Sequence, residues 1–341
     1  MKILFDARWI NNDSPDGITR YSRELIKALH ASTKLDLLIS STDQLNGLPK
    51  LEHILTNKPT SPKELRQART LNRYNYDVVF TPHYIFGGNG RKFRLVRTVH
   101  DLIPFNQKSD NAKLAWRVFY SNLSFLKKLL NDSDGIVTVS ETVKKQLAKI
   151  TGKRIAVVYN AATGFSHKPA KTKKQILYIG RYEEYKNIKV LVSAINDLSD
   201  YKLVLAGDCS EKIKASLLSF STNSSQIKFV GRIKDSDYLK LLSDSAVLVL
   251  PSREEGFGLP VIEAMSAGCP VVCSDIDIFR EVGGEAGLYF DPNSSDEIVD
   301  IIRQLENAKY RKEIVAKGLL NAKRFSWTKS AIELKLFLDE I

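Results

Sequence analysis

Two glutamates with seven residues between them, Glu255 and Glu263, bracket the run Gly256-Phe257-Gly258-Leu259-Pro260-Val261-Ile262. Carboxylates accept hydrogen bonds from neighbouring hydroxyls, as on ribose and hexoses. Gly256 and Gly258 leave backbone N–H groups open to close approach. Pro260 suits the first position of a helix. One glutamate then lies in a loop and the other in the first turns of that helix, where both could face one ligand from two heights. Upstream, Gly180-Arg181 and Lys186 put two cations in one loop at a helix start. Arg supplies a planar fork and Lys a point charge, a pairing that suits a diphosphate. The same residues with Glu183 and Glu184 also read as an exposed ion-pair loop.

Two further places carry weaker signals. His100-Asp101 ends an apolar run and could bind hydroxyls or move protons. A purely structural pair is the alternative. Gly17, in Asp16-Gly17-Ile18-Thr19, opens an amphipathic stretch where an anion could meet free N–H groups. A plain turn and cap is the alternative there. No G-x-G-x-x-G occurs, which argues against an ordinary dinucleotide-binding dehydrogenase. Asp132-Ser133-Asp134, Asp235-Ser236-Asp237 and Asp275-Ile276-Asp277 have the D-x-D form of a metal motif. At this acid content such triplets arise by chance, and two of them sit where a helix should start and aspartate caps. No metal is expected.

The elements that position these groups follow from the apolar pattern. Runs at 2–5, 78–80, 95–99, 136–139, 155–158, 176–179, 202–205, 227–230, 246–250 and 270–273 are short, β-branched and unalternated, as strands covered on both faces are. Amphipathic stretches at 18–29, 112–130, 188–198 and 297–305 lie between them. Strands alternating with helices imply parallel sheets with helices on both faces. Each candidate loop directly follows a strand, where an open α/β sheet places its ligand. The polar stretch 166–174 reads as a linker. Two domains are expected, 1–167 and 168–325, in line with 341 residues at roughly 150 per domain.

Composition narrows the class. Hydrophobic residues are 43% and charged residues 26%, which excludes disorder, collagen and coiled coil. Cys209, Cys269 and Cys273 cannot build a disulfide framework, and the two flanking the 270–273 run read as small core residues. No apolar run approaches the ~18 residues of a membrane span, and Asp6 and Arg8 interrupt the start of the chain. A cytoplasmic location is expected, with the inner face of the membrane as an option. Net charge is +12, yet residues 1–170 hold 27 Lys and Arg against 14 Asp and Glu. Such a half attracts polyanions, or is simply a solvated lysine-rich surface. It has no zinc finger, RNA-binding aromatic signature or zipper, so nucleic acid is set aside. The stretch 114–130, aromatic and apolar with Lys127 and Lys128, fits either a membrane-surface helix or an ordinary core helix.

Taken together, the Glu-seven-Glu loop with the following AMSAGCPVV, the GITRY loop, VHDLIP, TVSE, YNA, GRYEEYKN, FVGRIKD and the closing FSW resemble glycosyltransferase family 4 over nearly the whole chain. The resemblance implies an α/β GT-B fold, two Rossmann-like doubly wound domains facing a central cleft, with the last helix, 326–341, packing back on the first domain. It implies a retaining, nucleotide-sugar-dependent transferase that uses no metal. Position by position it gives Arg181 and Lys186 to the donor diphosphate, Glu263 to the ribose hydroxyls and Glu255 to the transferred sugar. Gly256, Phe257, Gly258 and Leu259 belong to the loop whose backbone meets the sugar and diphosphate. His100, with Asp101 beside it, falls near the donor sugar's hydroxyls. Gly17 falls in the loop that meets phosphate and acceptor, and Ile233 at a backbone contact to the base. The first loop departs from the family pattern: Thr19 stands where a second glycine is frequent. The GITRY and HDLIP forms look most like bacterial mannosyltransferases of cell-surface polysaccharides. GDP-mannose is therefore the first expected donor and a UDP-sugar the second, with a glycan or lipid-linked acceptor and an anionic membrane as partners. The rival expectations are a non-catalytic GT-B protein that binds sugar nucleotide or glycan, and a nucleotide-sugar epimerase or hydrolase of the same fold.

Overall fold

The computed structural model describes residues 1–13, 16–106, 122–164 and 173–341. They form two compact units, Met1–Asn160 with Ser326–Ile341, and Ala161–Phe325. The division falls ahead of the 167/168 boundary expected from composition. Most of the polar stretch 166–174 that suggested it, namely 166–172, lies outside the described residues.

The first unit holds seven parallel strands. They are β1 (Ile3–Asp6), β2 (Leu35–Ile39), β3 (His53–Leu55), β4 (Val78–Thr81), β5 (Arg94–Val99), β6 (Gly135–Thr138) and β7 (Ile155–Val157). Their order is β3-β2-β1-β4-β5-β6-β7. Chain order reverses between β1 and β4, which makes that the topological switch point. β1 and β4 are buried throughout, each an apolar run of three residues closed by a buried polar one, Asp6 and Thr81. Two strands are absent from the sequence reading. β2 carries Asp36 inside its apolar run, which hides the pattern; the fold compensates with a 2.8 Å bond from the Tyr76 hydroxyl. β3 is a three-residue edge strand, mostly exposed, and has no hydrophobic signal to read.

Helix Gly17–His30 buries Tyr21, Leu25, Ile26 and Leu29, one stripe at helical spacing. Helix Trp327–Glu340 packs on it. The Ser330 hydroxyl of that helix donates to Tyr159 O at 2.5 Å. Phe337 of the same helix fills the space beside Gly135, where a Cβ would meet its ring at 2.8 Å. Of the candidate membrane-surface stretch, 114–121 lies outside the described residues. The remainder forms helix Leu123–Asn131, which buries Leu126 and Leu130 beside Val99, Ile136 and Leu147 and exposes Lys127 and Lys128. That part is a core helix.

The second unit holds six parallel strands: β8 (Gln175–Ile179), β9 (Lys202–Ala206), β10 (Ile227–Gly231), β11 (Val247–Leu250), β12 (Val271–Ser274) and β13 (Leu288–Phe290). Their order is β10-β9-β8-β11-β12-β13, with the switch point between β8 and β11. β13 is the third unforeseen strand, three residues long. The helix expected at 188–198 ends at Ala194 and tightens into a 3₁₀ turn, Ile195–Asp197. The one expected at 297–305 is Ser295–Gln304, capped by the Ser294 hydroxyl. Cys269 and Cys273 are buried, as core residues should be; burial raises the Cys269 thiol to about 12. No helix among the described residues is long and apolar enough to cross a membrane.

Candidate functional site

The loops after β8 and β11 flank the switch point of the second sheet. After β8 the chain turns at Gly180, and the buried Tyr178 hydroxyl donates to Arg181 O at 2.5 Å, which fixes the backbone there. The end of β9 comes close because Gly207, at φ +136°, has no side chain. A Cβ on it would lie 2.0 Å from the Gly180 carbonyl oxygen. A 3₁₀ turn, Glu184–Lys186, then leads through Asn187 at φ +53° into helix Ile188–Ala194. Asn187 is held there by its side-chain N–H bond to Pro292 O, 2.7 Å.

The loop after β11 meets this one across the switch point. The Arg253 N–H donates to Tyr185 O at 2.8 Å. Lys186 Nζ lies 2.5 Å from Glu255 Oε1, and the same oxygen accepts from the buried Ser252 hydroxyl at 2.9 Å. The Lys186 and Glu255 side chains are only 14% and 16% exposed. Water therefore screens this pair less than a surface pair. Gly258, at φ +85°, opens helix Leu259–Ser266, where a Cβ would meet the Phe279 ring at 2.9 Å. Gly256 is buried, and Phe257 turns its ring edge-on to Phe325, so this stretch can offer a ligand backbone rather than side chain. Leu259 is part-buried, and Glu263 lies inside the helix, 2% exposed.

Thus Lys186 and Glu255, far apart in sequence, are brought together. Arg181 is not drawn into that pair. Its side chain is 73% exposed and lies 3.5 Å from Glu183. The clamp and the ion-pair loop are the same loop: each cation carries a carboxylate partner that an arriving anion would have to replace. Ile233 follows Gly231, at φ +63°, past the end of β10, and is part-buried. Beside it, at the ends of β9 and β10, a depression of about 390 Å³ is lined by Gly207, Asp208, Cys209, Ser210, Lys214, Phe229 and Gly231. Gly207, Ser252 and Tyr178 are absent from the sequence reading. A single residue just after a strand, or inside one as Tyr178 is inside β8, has no spacing to betray it.

In the first unit, Gly17 is the first residue of its helix, and nothing lies within 4 Å of where its Cβ would be. Asp16 caps that helix, accepting from the Thr19 N–H at 2.8 Å. Thr19 is buried, and its hydroxyl accepts from the Asn11 N–H at 3.1 Å, so the residue replacing a second glycine pins the preceding loop. Asp101 accepts from the Ile103 N–H at 3.0 Å and starts the short helix Ile103–Asn106. His100 donates its Nε2–H to Pro82 O at 2.8 Å and meets the Tyr21 ring edge-on.

His100 and His83 both titrate low. Burial lowers His100 against the opposing pull of the Pro82 carbonyl and Asp16. Burial and then His100 lower His83 to about 3. Unfolded histidine titrates near 6.5, so the folded state binds fewer protons below that value. The stability held by neutral imidazoles is complete above about pH 6.5 and is lost as pH falls toward 3. The loss is at most about 1.4 kcal/mol per pH unit for each ring, less where water reaches it. The expected result is a melting temperature that drops between pH 6.5 and 4, and a flatter profile in His83→Gln.

Among the described residues no three His, Cys, Asp or Glu side chains converge on a point where a metal could sit. Asp132 and Asp134 pair with Arg91 at 2.9 and 3.1 Å, and Asp132 also with Arg97. Asp275 forks onto Arg280 at 2.6 and 2.7 Å. Asp277 does not cap its helix, as the sequence suggested; Ile276 holds that position and Asp277 lies in the first turn. Asp235 likewise opens helix Asp235–Asp244 after Lys234 in the cap position.

Comparison with known proteins agrees with this architecture. Residues 15–162 match the family described as Glycosyltransferase Family 4, and residues 161–319 match Glycosyl transferases group 1. The chain is 30% identical to the Escherichia coli O-antigen chain mannosyltransferase B, over 96% of each. Sucrose-phosphate synthase from Thermosynechococcus elongatus superposes with a TM-score of 0.80 at 21% identity, over 99% of this chain and 98% of that one. Anabaena HepE, solved with UDP and glucose, superposes at 0.77 and 17% identity, over the whole of both. The chain belongs to glycosyltransferase family 4. It is a glycosyltransferase with the GT-B fold.

Proposed function

We propose that the protein transfers a hexose, mannose in first place, from a nucleotide sugar to a glycan or lipid-linked acceptor, with retention of configuration and without a metal. The observation that carries this reading is the Lys186–Glu255 pair spanning the switch point, with Arg181 on the same loop. The mannosyl preference draws on the name of the O-antigen relative, and the nucleotide-sugar donor on the UDP complex of HepE. GDP-mannose is the first donor and a UDP-sugar the second.

On this reading the diphosphate displaces Glu255 from Lys186 and Glu183 from Arg181. The bond from the sugar C1 to the phosphate oxygen breaks, and its electron pair stays on the phosphate. Lys186 and Arg181 stabilise that growing charge, the largest expected catalytic effect. The acceptor oxygen bonds to C1 on the face the phosphate leaves, and a phosphate oxygen takes the acceptor's proton. Glu255, released, holds hydroxyls of the transferred sugar, and Glu263 those of the ribose. Backbone at 256–259 and Ile233 meets the sugar, diphosphate and base. In the first unit, Gly17, His100 and Asp101 serve the phosphate and sugar hydroxyls. The positive excess of residues 1–170 suits a lipid-linked acceptor at an anionic membrane surface, on the cytoplasmic side.

The test is a thermal-shift panel of GDP, UDP, ADP, dTDP and their sugars, with and without EDTA. One nucleotide should stabilise the protein, by an amount set by its affinity and indifferent to EDTA. No shift with any of them, or a shift abolished by EDTA, would contradict the clamp.

A further inference from the structure

Among the described residues Glu255 has two holders, and they differ in kind. Its Oε1 accepts from Lys186 Nζ at 2.5 Å and from the Ser252 hydroxyl at 2.9 Å. Those two bonds fill both lone pairs of one oxygen. Oε2 has no hydrogen-bond partner among the described residues, so it is the oxygen left for a ligand.

The two holders are also anchored differently. Lys186 ends a 3₁₀ turn on the loop after β8, and its ammonium sits at the tip of a long side chain. Ser252 stands two residues beyond the last residue of β11 and is 1% exposed. Its bond to Glu255 spans three residues of one loop. The next residue, Arg253, ties that loop to Tyr185 O through its N–H, at 2.8 Å. The sheet therefore fixes where the Ser252 hydroxyl lies. Lys186 has a neighbour of its own, the Tyr185 ring 5.1 Å from Nζ, which keeps it in place when it parts from Glu255.

An arriving diphosphate acts on the two holders unequally. It takes Lys186 as its counter-ion and sets negative charge beside a carboxylate that has just lost its cation. Repulsion then drives Glu255 away, and its side chain has three rotatable bonds along which to leave. The Ser252 hydroxyl carries no charge, and its one proton is already given to Glu255. We infer that Ser252 is a positioning residue: its hydroxyl holds Glu255 in place against the diphosphate, so that Oε2 meets the hydroxyls of the transferred sugar. The inference rests on the donor reading proposed above, and adds to it a group that touches neither sugar nor phosphate.

The test joins calorimetric titration of the full chain with GDP and UDP to steady-state kinetics with the sugar of whichever nucleotide binds. Ser252→Ala should lower kcat roughly tenfold to a hundredfold, the usual effect of losing a hydrogen bond to a charged group. KM for the donor should change less, and affinity for the nucleoside diphosphate should not change, because the diphosphate does not touch Ser252. Ser252→Thr, which keeps the hydroxyl, should recover most of the loss. In a Glu255→Ala background Ser252→Ala should cost nothing further, as a double-mutant cycle requires of a residue that acts only through another. An unchanged kcat in Ser252→Ala, a parallel loss of nucleotide affinity, or additive losses in the double variant would overturn the inference. A natural chain that binds neither nucleotide would refute the donor reading itself, and this inference with it.

Discussion

Replacing Lys186 by alanine should lower kcat by roughly 10²- to 10³-fold, the usual effect of deleting one group that meets charge formed in a transition state. Two consequences add in this protein. On the proposed mechanism the diphosphate loses a cation, and Glu255, 2.5 Å from Lys186 Nζ, is left with the Ser252 hydroxyl beside the same site. An uncompensated carboxylate repels the incoming donor, so nucleoside diphosphate affinity should fall as well. Glu255→Gln separates the two effects. It removes the repulsion and should leave nucleotide affinity equal or higher, while kcat falls because the sugar loses its carboxylate. Arg181→Ala should lower kcat more than it raises KM. Steady-state kinetics with the donor that stabilises the protein reads all three. A change in KM alone would mean that these cations hold ground state and transition state equally.

The largest effect on stability is expected at Arg8. Its guanidinium is buried between Asp6 and Glu64. Burial alone would lower its pKa; the two carboxylates outweigh burial and raise it. Arg8→Ala strands two buried carboxylates, and breaking a buried pair in this way costs about 3–5 kcal/mol. For a unit of this size that is a fall of roughly 10 °C in melting temperature. Calorimetry of the full chain checks it, read on the transition of the first unit, because two units need not unfold together. A change under about 1 kcal/mol would show that Asp6 and Glu64 find other partners or protons at little expense.

Much of the fold was legible because parallel strands covered on both faces announce themselves: the apolar run of β11 needs no partner pattern to be read. β3 and β13, three residues each, were not legible, because their pairing is imposed by neighbours rather than by their own residues. The loops after β8 and β11 were legible for a different reason. They combine unusual residue types, paired glutamates and paired cations, at strand ends where an α/β sheet exposes its function. What the sequence could not show is which cation meets which carboxylate. Lys186 and Glu255 are 69 residues apart, and Arg181 could equally have taken that partner. Gly207 was missed because its role is the absence of a Cβ beside the Gly180 carbonyl, which no motif encodes.

The proposed transfer, metal-independent and with retention, draws on a nucleotide sugar held by Lys186 and Arg181. The direct measurement is proton NMR of the anomeric centre during turnover with GDP-α-mannose and a mannobiose acceptor in EDTA, repeated with the UDP-sugar alternatives. An α-linked product should appear as the sugar nucleotide is consumed, and should be lost in Lys186→Ala. A β-linked product, transfer that stops in EDTA, or free sugar released equally with and without acceptor would contradict it.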